Sequence, residues 1–113
     1  MQYTFKAVAL MRLIQIVDLW PAPNRNMMKT IDALASKLAM TKEDLSSIDW
    51  RSSSDGSQIM FKPDVTLTKE LDEQDVAMLR AMAENPPERF IWTRGEMALQ
   101  QAVFEPLGIE SWI

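Results

Sequence analysis

Hydrophobic positions in the first part of the chain recur at helical intervals. Between Phe5 and Trp20 they are Val8, Leu10, Leu13, Ile14, Val17 and Trp20, and Pro21 ends the series. Polar side chains occupy only a narrow arc of this segment. The pattern therefore predicts a helix from Phe5 to Trp20 that is buried in the centre of the protein or against a second copy.

A stiff connector, residues 20–24, separates this segment from a second helical pattern, because its two prolines restrict the backbone. Asn24 or Asn26 can cap a helix that runs to about Met40. Its predicted buried stripe comprises Met27, Ile31, Leu34, Ala35 and Leu38. Thr41, with Asp44 three residues later, predicts a capping arrangement at the start of a short third helix.

The hydrophobic period changes to two after the third helix. Ile48 and Trp50 alternate with polar residues, as do Ile59 and Phe61, and a turn signal, Asp55 before Gly56, lies between the two runs. The pattern predicts a β-hairpin that Pro63 ends, followed by a connector or brief extended piece at residues 65–68.

Two more helices are predicted in the second half. Residues 72–84 place Val76, Leu79 and Met82 on one side, and acidic residues at their start suit the positive end of a helix dipole. Thr93 and Glu96 have the spacing of a capping box for a last helix that continues through Phe104. Pro106 and Gly108 then end it.

These elements predict an α+β fold, mainly α, with four to five helices and one hairpin. A chain of 113 residues, of which 47% are hydrophobic, can bury one core, so we expect a single compact domain over residues 1–113. Residues 27–62 would form a helix-turn-helix or winged-helix-like part, and residues 69–113 an acidic helical half.

The segment from Leu34 to Ile48 reads LASKLAMTKEDLSSI. Its small residue, Ala35, and its hydrophobic positions before and after the turn resemble the helix-turn-helix of phage and bacterial repressors and of winged-helix proteins. The resemblance implies DNA binding through Lys42, Ser46, Ser47 and Arg51, with the hairpin as the wing. It also implies a left-handed turn at Ala39, where the family usually has glycine, at a cost on the order of 1 kcal/mol.

The charge distribution opposes DNA binding. Glu43 and Asp44 lead the helix that would enter the groove, and their carboxylates would meet phosphates. Residues 1–63 carry a net charge of +2, whereas residues 64–113 carry −6. A DNA-binding domain normally presents a basic patch, so this distribution favours a protein partner.

The composition also narrows the chemistry. The chain contains no cysteine, no histidine and only three glycines, which excludes thiol and histidine catalysis and the usual zinc sites and disfavours a phosphate-binding loop. We therefore expect a non-enzyme without metal or cofactor. Charged or polar residues interrupt the apolar run from Phe5 to Trp20, so we expect a cytoplasmic protein rather than a membrane-anchored one.

The leading functional hypothesis is a small acidic protein that binds and regulates or inhibits a partner protein with a basic surface. In size and acidity the chain is similar to small accessory or inhibitory proteins of phages and other mobile elements. The expected mode is binding through the acidic carboxyl half, which would occlude a basic surface that normally binds nucleic acid. The expected partner-binding residues are the helix-start acids and the aromatic and arginine positions near the end: Asp72, Glu73, Asp75, Phe90, Trp92, Arg94 and Trp112. A DNA-binding regulator is the first alternative, and an assembly factor that self-associates through its first helix is the second.

Overall fold

Helix α1, Ala7–Asp18, lies at the centre of the computed structural model, which describes residues 1–90 and 92–109. The other helices are α2 (Arg25–Leu38), α3 (Lys42–Ser47), α4 (Glu73–Glu84) and α5 (Met97–Phe104). The strands are β1 (Gln2–Lys6), β2 (Arg51–Ser52), β3 (Ile59–Met60) and β4 (Thr66–Glu70), and 3-10 turns occupy Arg94–Glu96 and Glu105–Leu107. The fold is therefore α+β and mainly α, as the sequence predicts.

Helix α1 is buried by other parts of the same chain. Half of its residues are covered, namely Ala7, Ala9, Leu10, Leu13, Ile16 and Val17. It contacts α2, α4 and α5, which surround it. The expected central position is confirmed. Of the apolar side chains of α1, only Val8, Met11 and Ile14 are partly accessible for self-association.

The predicted start of the first helix is wrong, because residues 2–6 form strand β1. This strand pairs antiparallel with β4, and Phe5 lies opposite Leu67. Both side chains are buried, whereas Thr4 and Thr68 lie on the exposed face. The paired residues are 60 to 68 positions apart in sequence, so no local pattern reveals their pairing. Of the two alternatives predicted for residues 65–68, a connector or a brief extended piece, the second is present as the start of β4.

The caps of α2 and α3 are the ones that the sequence predicts. Asn24 Oδ1 accepts a hydrogen bond from the Met27 backbone N–H at 2.9 Å. Thr41 and Asp44 form a reciprocal capping box at the start of α3. The helix-turn-helix order is present, but Ala39 has φ −55° and ψ 141°, so the left-handed turn expected there is wrong.

The hairpin is shorter than predicted. Only Arg51 with Met60 and Ser52 with Ile59 pair, while the rings of Trp50 and Phe61 stack next to them with centroids 5.6 Å apart. The expected turn is present, with Gly56 at φ +72°. Hydrogen bonds from the Ser53 and Ser57 hydroxyls to the Asp55 carboxylate lower the pKa of Asp55 to about 2.

The second half contains two capping boxes, of which the sequence predicted only the one formed by Thr93 and Glu96. Asp72 and Asp75 form the box that starts α4. Thr93 and Glu96 form the other, although it precedes a 3-10 turn and α5 itself begins at Met97. Among the described residues, no helix has the length and apolar character needed to cross a membrane.

Candidate binding surfaces

Ion pairs connect the two oppositely charged parts of the chain, residues 1–63 and 64–113. Cationic groups from residues 1–63 pair with carboxylates of residues 64–113 at Met1 N-terminus–Glu70, Lys6–Asp64, Arg12–Glu96, Lys37–Asp72 and Lys37–Asp75. Five of the ten carboxylates in residues 64–113 are thereby compensated. About half of the acidic side chains of residues 64–113 are therefore used in pairs with the first part of the chain.

Two of the three expected partner-binding acids stabilise the fold. Asp75 is buried, and its Oδ2 accepts a hydrogen bond from Lys37 Nζ at 2.7 Å, which raises the pKa of Lys37. Asp72 caps α4, and the hydrogen bond from the Asp75 backbone N–H lowers the pKa of Asp72. Glu73 is exposed in the first turn of α4 and is the member of the trio that is free to meet a partner.

The aromatic residues expected at an interface pack inside the protein. Phe90 is buried, and the half-buried Trp92 ring meets Phe90 and Phe104 edge-on, with centroid distances of 5.0 and 6.2 Å. Arg12 lies 5.6 Å from the centre of the Phe90 ring and pairs with Glu96. These contacts anchor the last helix to α1.

The remaining expected contact positions have different environments. Arg94 is exposed in the 3-10 turn before α5, and Trp112 lies outside the described residues. Trp92 Nε1 is buried and has no hydrogen-bond partner within the described part of the chain.

A buried lysine, which the sequence pattern did not indicate, connects β4 to the turn between α2 and α3. Lys69 Nζ donates to Asp44 Oδ2 at 2.6 Å and to the Ala39 carbonyl oxygen at 2.7 Å. Burial opposes ionisation of Asp44, but the hydrogen bond and charge of Lys69 and the cap contacts with Thr41 together lower the pKa of Asp44. One of the two acids that opposed DNA binding is thus turned inward and neutralised.

Three of the four residues proposed for DNA binding line one surface cavity. Lys42, Ser46 and Arg51 surround a volume of about 440 Å³ together with Leu45, Asp49 and Trp50. Ser47 does not line it and donates its hydroxyl to the Asp44 carbonyl oxygen. Arg51 Nε donates to Asp49 Oδ1 at 3.1 Å, so the charge of Arg51 is partly compensated.

A larger cleft, of about 630 Å³, opens where α1 and α4 both end. One wall is the connector after α1 and the other is the loop after α4. The lining residues are Asp18, Leu19, Trp20, Pro21, Asn85, Pro86, Pro87, Glu88 and Arg89. We call this the connector cleft.

The connector cleft has an excess of negative charge. Asp18 and Glu88 are exposed and form no ion pair with any residue that the structure describes. The C-terminal ends of α1 and α4 add partial negative charge, and neither helix has a basic residue in its last turn. An acid at such an end typically costs ~0.3–1 kcal/mol, and here Asp18 and Glu84 are the last helical residues.

The sequence did not predict this cleft: residues 20–24 were expected only as a stiff connector between two helices, and the prolines after residue 84 only follow the end of the predicted helix there. A local signal was present: each predicted helix end carries an acid where a base is the usual choice. The meeting of connectors more than 60 residues apart, however, depends on the packing of α4 against α1.

Comparison of the chain with protein-family models, with curated proteins and with solved structures gave no match. The candidate function therefore rests on the geometry and charge of these surfaces.

Proposed function

We propose that the protein is a small non-catalytic binding protein that regulates or inhibits a partner protein carrying a basic surface. The observation that supports this function best is the excess of negative charge in the connector cleft. Two carboxylates and two helix C-termini there oppose a single guanidinium, that of Arg89. Such a concave, negative site attracts cationic side chains and steers them toward the protein.

Inhibition follows from competition. A protein surface that binds nucleic acid is rich in lysine and arginine, because neutralising phosphates supplies much of the affinity. Carboxylates such as Asp18 and Glu88, placed on those cations, would occupy the positions that phosphates need. The proposed regulatory step is therefore occlusion of a basic surface of the partner.

The test compares proteins captured from the native source by the wild type and by the double variant Asp18→Asn/Glu88→Gln. The control, Asp32→Asn/Glu43→Gln, removes the same charge from exposed acids that do not line the connector cleft. We expect the wild type and the control to retain the same basic partner and the cleft variant to lose most of it. Raising the salt concentration from about 0.05 to about 0.3 M should weaken the retained complex, since salt screens exposed charges.

A captured partner that binds the cleft variant as tightly as the wild type would overturn the proposal. Affinity that does not change with salt would also overturn it, because the attraction would then not be electrostatic. The folding of each variant is checked by its thermal transition, so that lost binding is not confused with lost structure.

A second candidate function, DNA binding through α3 and the hairpin, is favoured by one observation. Lys69 neutralises Asp44, which leaves Glu43 as the exposed acid at the start of α3. If this function holds, Lys42→Ala and Arg51→Ala should each lower DNA affinity and flatten its salt dependence. Absence of any shift of duplex DNA by the wild type at low salt would exclude it.

A further inference from the structure

We infer that the connector cleft binds an extended segment of the partner that contributes one arginine side chain among apolar neighbours. This inference rests on the proposed function and adds the chemical class of the ligand. The size, the apolar lining and the charge of the cleft each support it.

The size and the stiff walls of the cleft suit a short peptide segment. Its volume of about 630 Å³ lies within the range of ~300–1,000 Å³ that is typical of ligand sites. Pro21, Pro86 and Pro87 restrict the backbone of the walls, so little ordering is needed when a ligand binds. A segment in a polyproline conformation likewise loses little entropy on binding, and grooves that offer aromatic surface, here that of Trp20, accept such segments.

The lining provides an aromatic surface beside the acids. Trp20 is half-buried, so part of its indole is covered by the core and part is accessible in the cleft. A guanidinium group can lie flat against an indole while its N–H groups donate to carboxylates such as Asp18 and Glu88. Arginine matches both features, whereas the ammonium group of lysine lacks the planar stacking surface.

The positive charge of Arg89 limits how basic the segment can be. Arg89 lines the same cleft as the two carboxylates. A second cation of the ligand placed next to it would be repelled. The site therefore favours a single arginine flanked by proline or other apolar residues over a continuous run of basic residues.

The experiment uses the full chain labelled with ¹⁵N and follows the indole N–H signals, with that of Trp20 assigned by its loss in Trp20→Phe. The probe is the capped peptide acetyl-Pro-Pro-Arg-Pro-Pro-amide, and its counterpart has citrulline, which is neutral and nearly the same shape, in place of arginine. We expect a saturable shift of the Trp20 signal and at least about fivefold weaker binding of the citrulline peptide. Asp18→Asn/Glu88→Gln should weaken the arginine peptide by a similar factor, whereas Trp50→Phe, at the cavity beside α3, should leave its binding unchanged.

Equal binding of the two peptides, or no saturable shift of the Trp20 signal, would overturn the inference. If the peptides fail but a captured partner still requires Asp18 and Glu88, the proposed function stands and the partner presents a folded basic surface instead. If partner capture is also independent of these carboxylates, both the inference and the proposed function are wrong.

Discussion

At the scale of single residues, Asp49 occupies a backbone conformation that usually belongs to glycine. Its φ is +56°, and it directly follows the C-cap of α3. Hydrogen bonds from Asp49 N–H to the Ser46 carbonyl and from Trp50 N–H to the Leu45 carbonyl form a Schellman motif. The side chain of Asp49 also accepts a hydrogen bond from Arg51 at the cavity beside α3. A non-glycine residue in this conformation marks a position where local stability is reduced.

Asp49→Gly should therefore raise the free energy of unfolding by roughly 0.5–1 kcal/mol, because glycine adopts positive φ without a steric penalty. The exposed pair with Arg51 that is lost contributes little to stability. The measurement is the midpoint of denaturant unfolding. As a control, Asp32→Gly makes the same exchange at an exposed position inside α2 and should lower stability by about 0.3 kcal/mol, because glycine is a slightly poorer helix former than aspartate. A decrease in both variants would contradict the interpretation of Asp49.

At the scale of elements, helices with their own cap signals could be predicted from the sequence, and strands that pair over long distances could not. Asn24, Thr41 and Asp72 each cap the helix that follows, through contacts within three residues. Strands β1 and β4 have only five residues each, and their pairing spans most of the chain. Phe5 fits the helical period of the residues after it, and only its pairing with Leu67 of β4 assigns it to a strand.

The role of β1 can be measured through Phe5, whose side chain is 1% exposed and faces the core. Phe5→Ala should lower the free energy of unfolding by about 3–5 kcal/mol, because it removes a large buried ring and leaves a cavity. Thr4→Ala, on the exposed face of the same strand, removes only the exposed hydroxyl pair with Thr68 and should lower stability by no more than about 1 kcal/mol. Hydrogen exchange in β1 and β4 should speed up together in Phe5→Ala. A loss below about 1 kcal/mol would show that β1 does not contribute to the core.

At the scale of the whole molecule, the sequence predicted a net acidic protein but not where its charges lie. Asp75 and Phe90 belong to the set expected to contact a partner, yet the Asp75 carboxylate pairs with Lys37 and the Phe90 ring packs against Arg12 and Trp92. The connector cleft arises only when the ends of α1 and α4 are brought together. Ion pairs between distant segments therefore determine which acids remain available for binding. The number of charges along the sequence does not reveal these pairs.

Carboxylates that accept hydrogen bonds in helix caps and turns make the free energy of unfolding depend on pH. The pKa values of Asp44, Asp55, Asp72 and Glu96 are lowered, the last chiefly by the Thr93 hydroxyl, from ordinary values of 3.8 for aspartate and 4.5 for glutamate. Because the unfolded chain binds protons more readily at these groups, their contribution is complete above about pH 5 and is lost as the pH falls toward about 2. The raised pKa of Lys37 acts in the opposite direction, so its contribution is lost only as the pH rises above 10.5.

Denaturant unfolding between about pH 6 and pH 2.5 should therefore show a free energy of unfolding that is constant near neutrality and falls steadily below about pH 5. Glu96→Gln retains an acceptor for Thr93 but does not titrate, so its stability should fall less steeply with acid than that of the wild type. Glu105→Gln replaces an exposed glutamate that takes part in no ion pair with the described residues, and it should keep the wild-type slope. Parallel pH profiles for the wild type and Glu96→Gln would show that the cap carboxylate does not couple folding to proton binding.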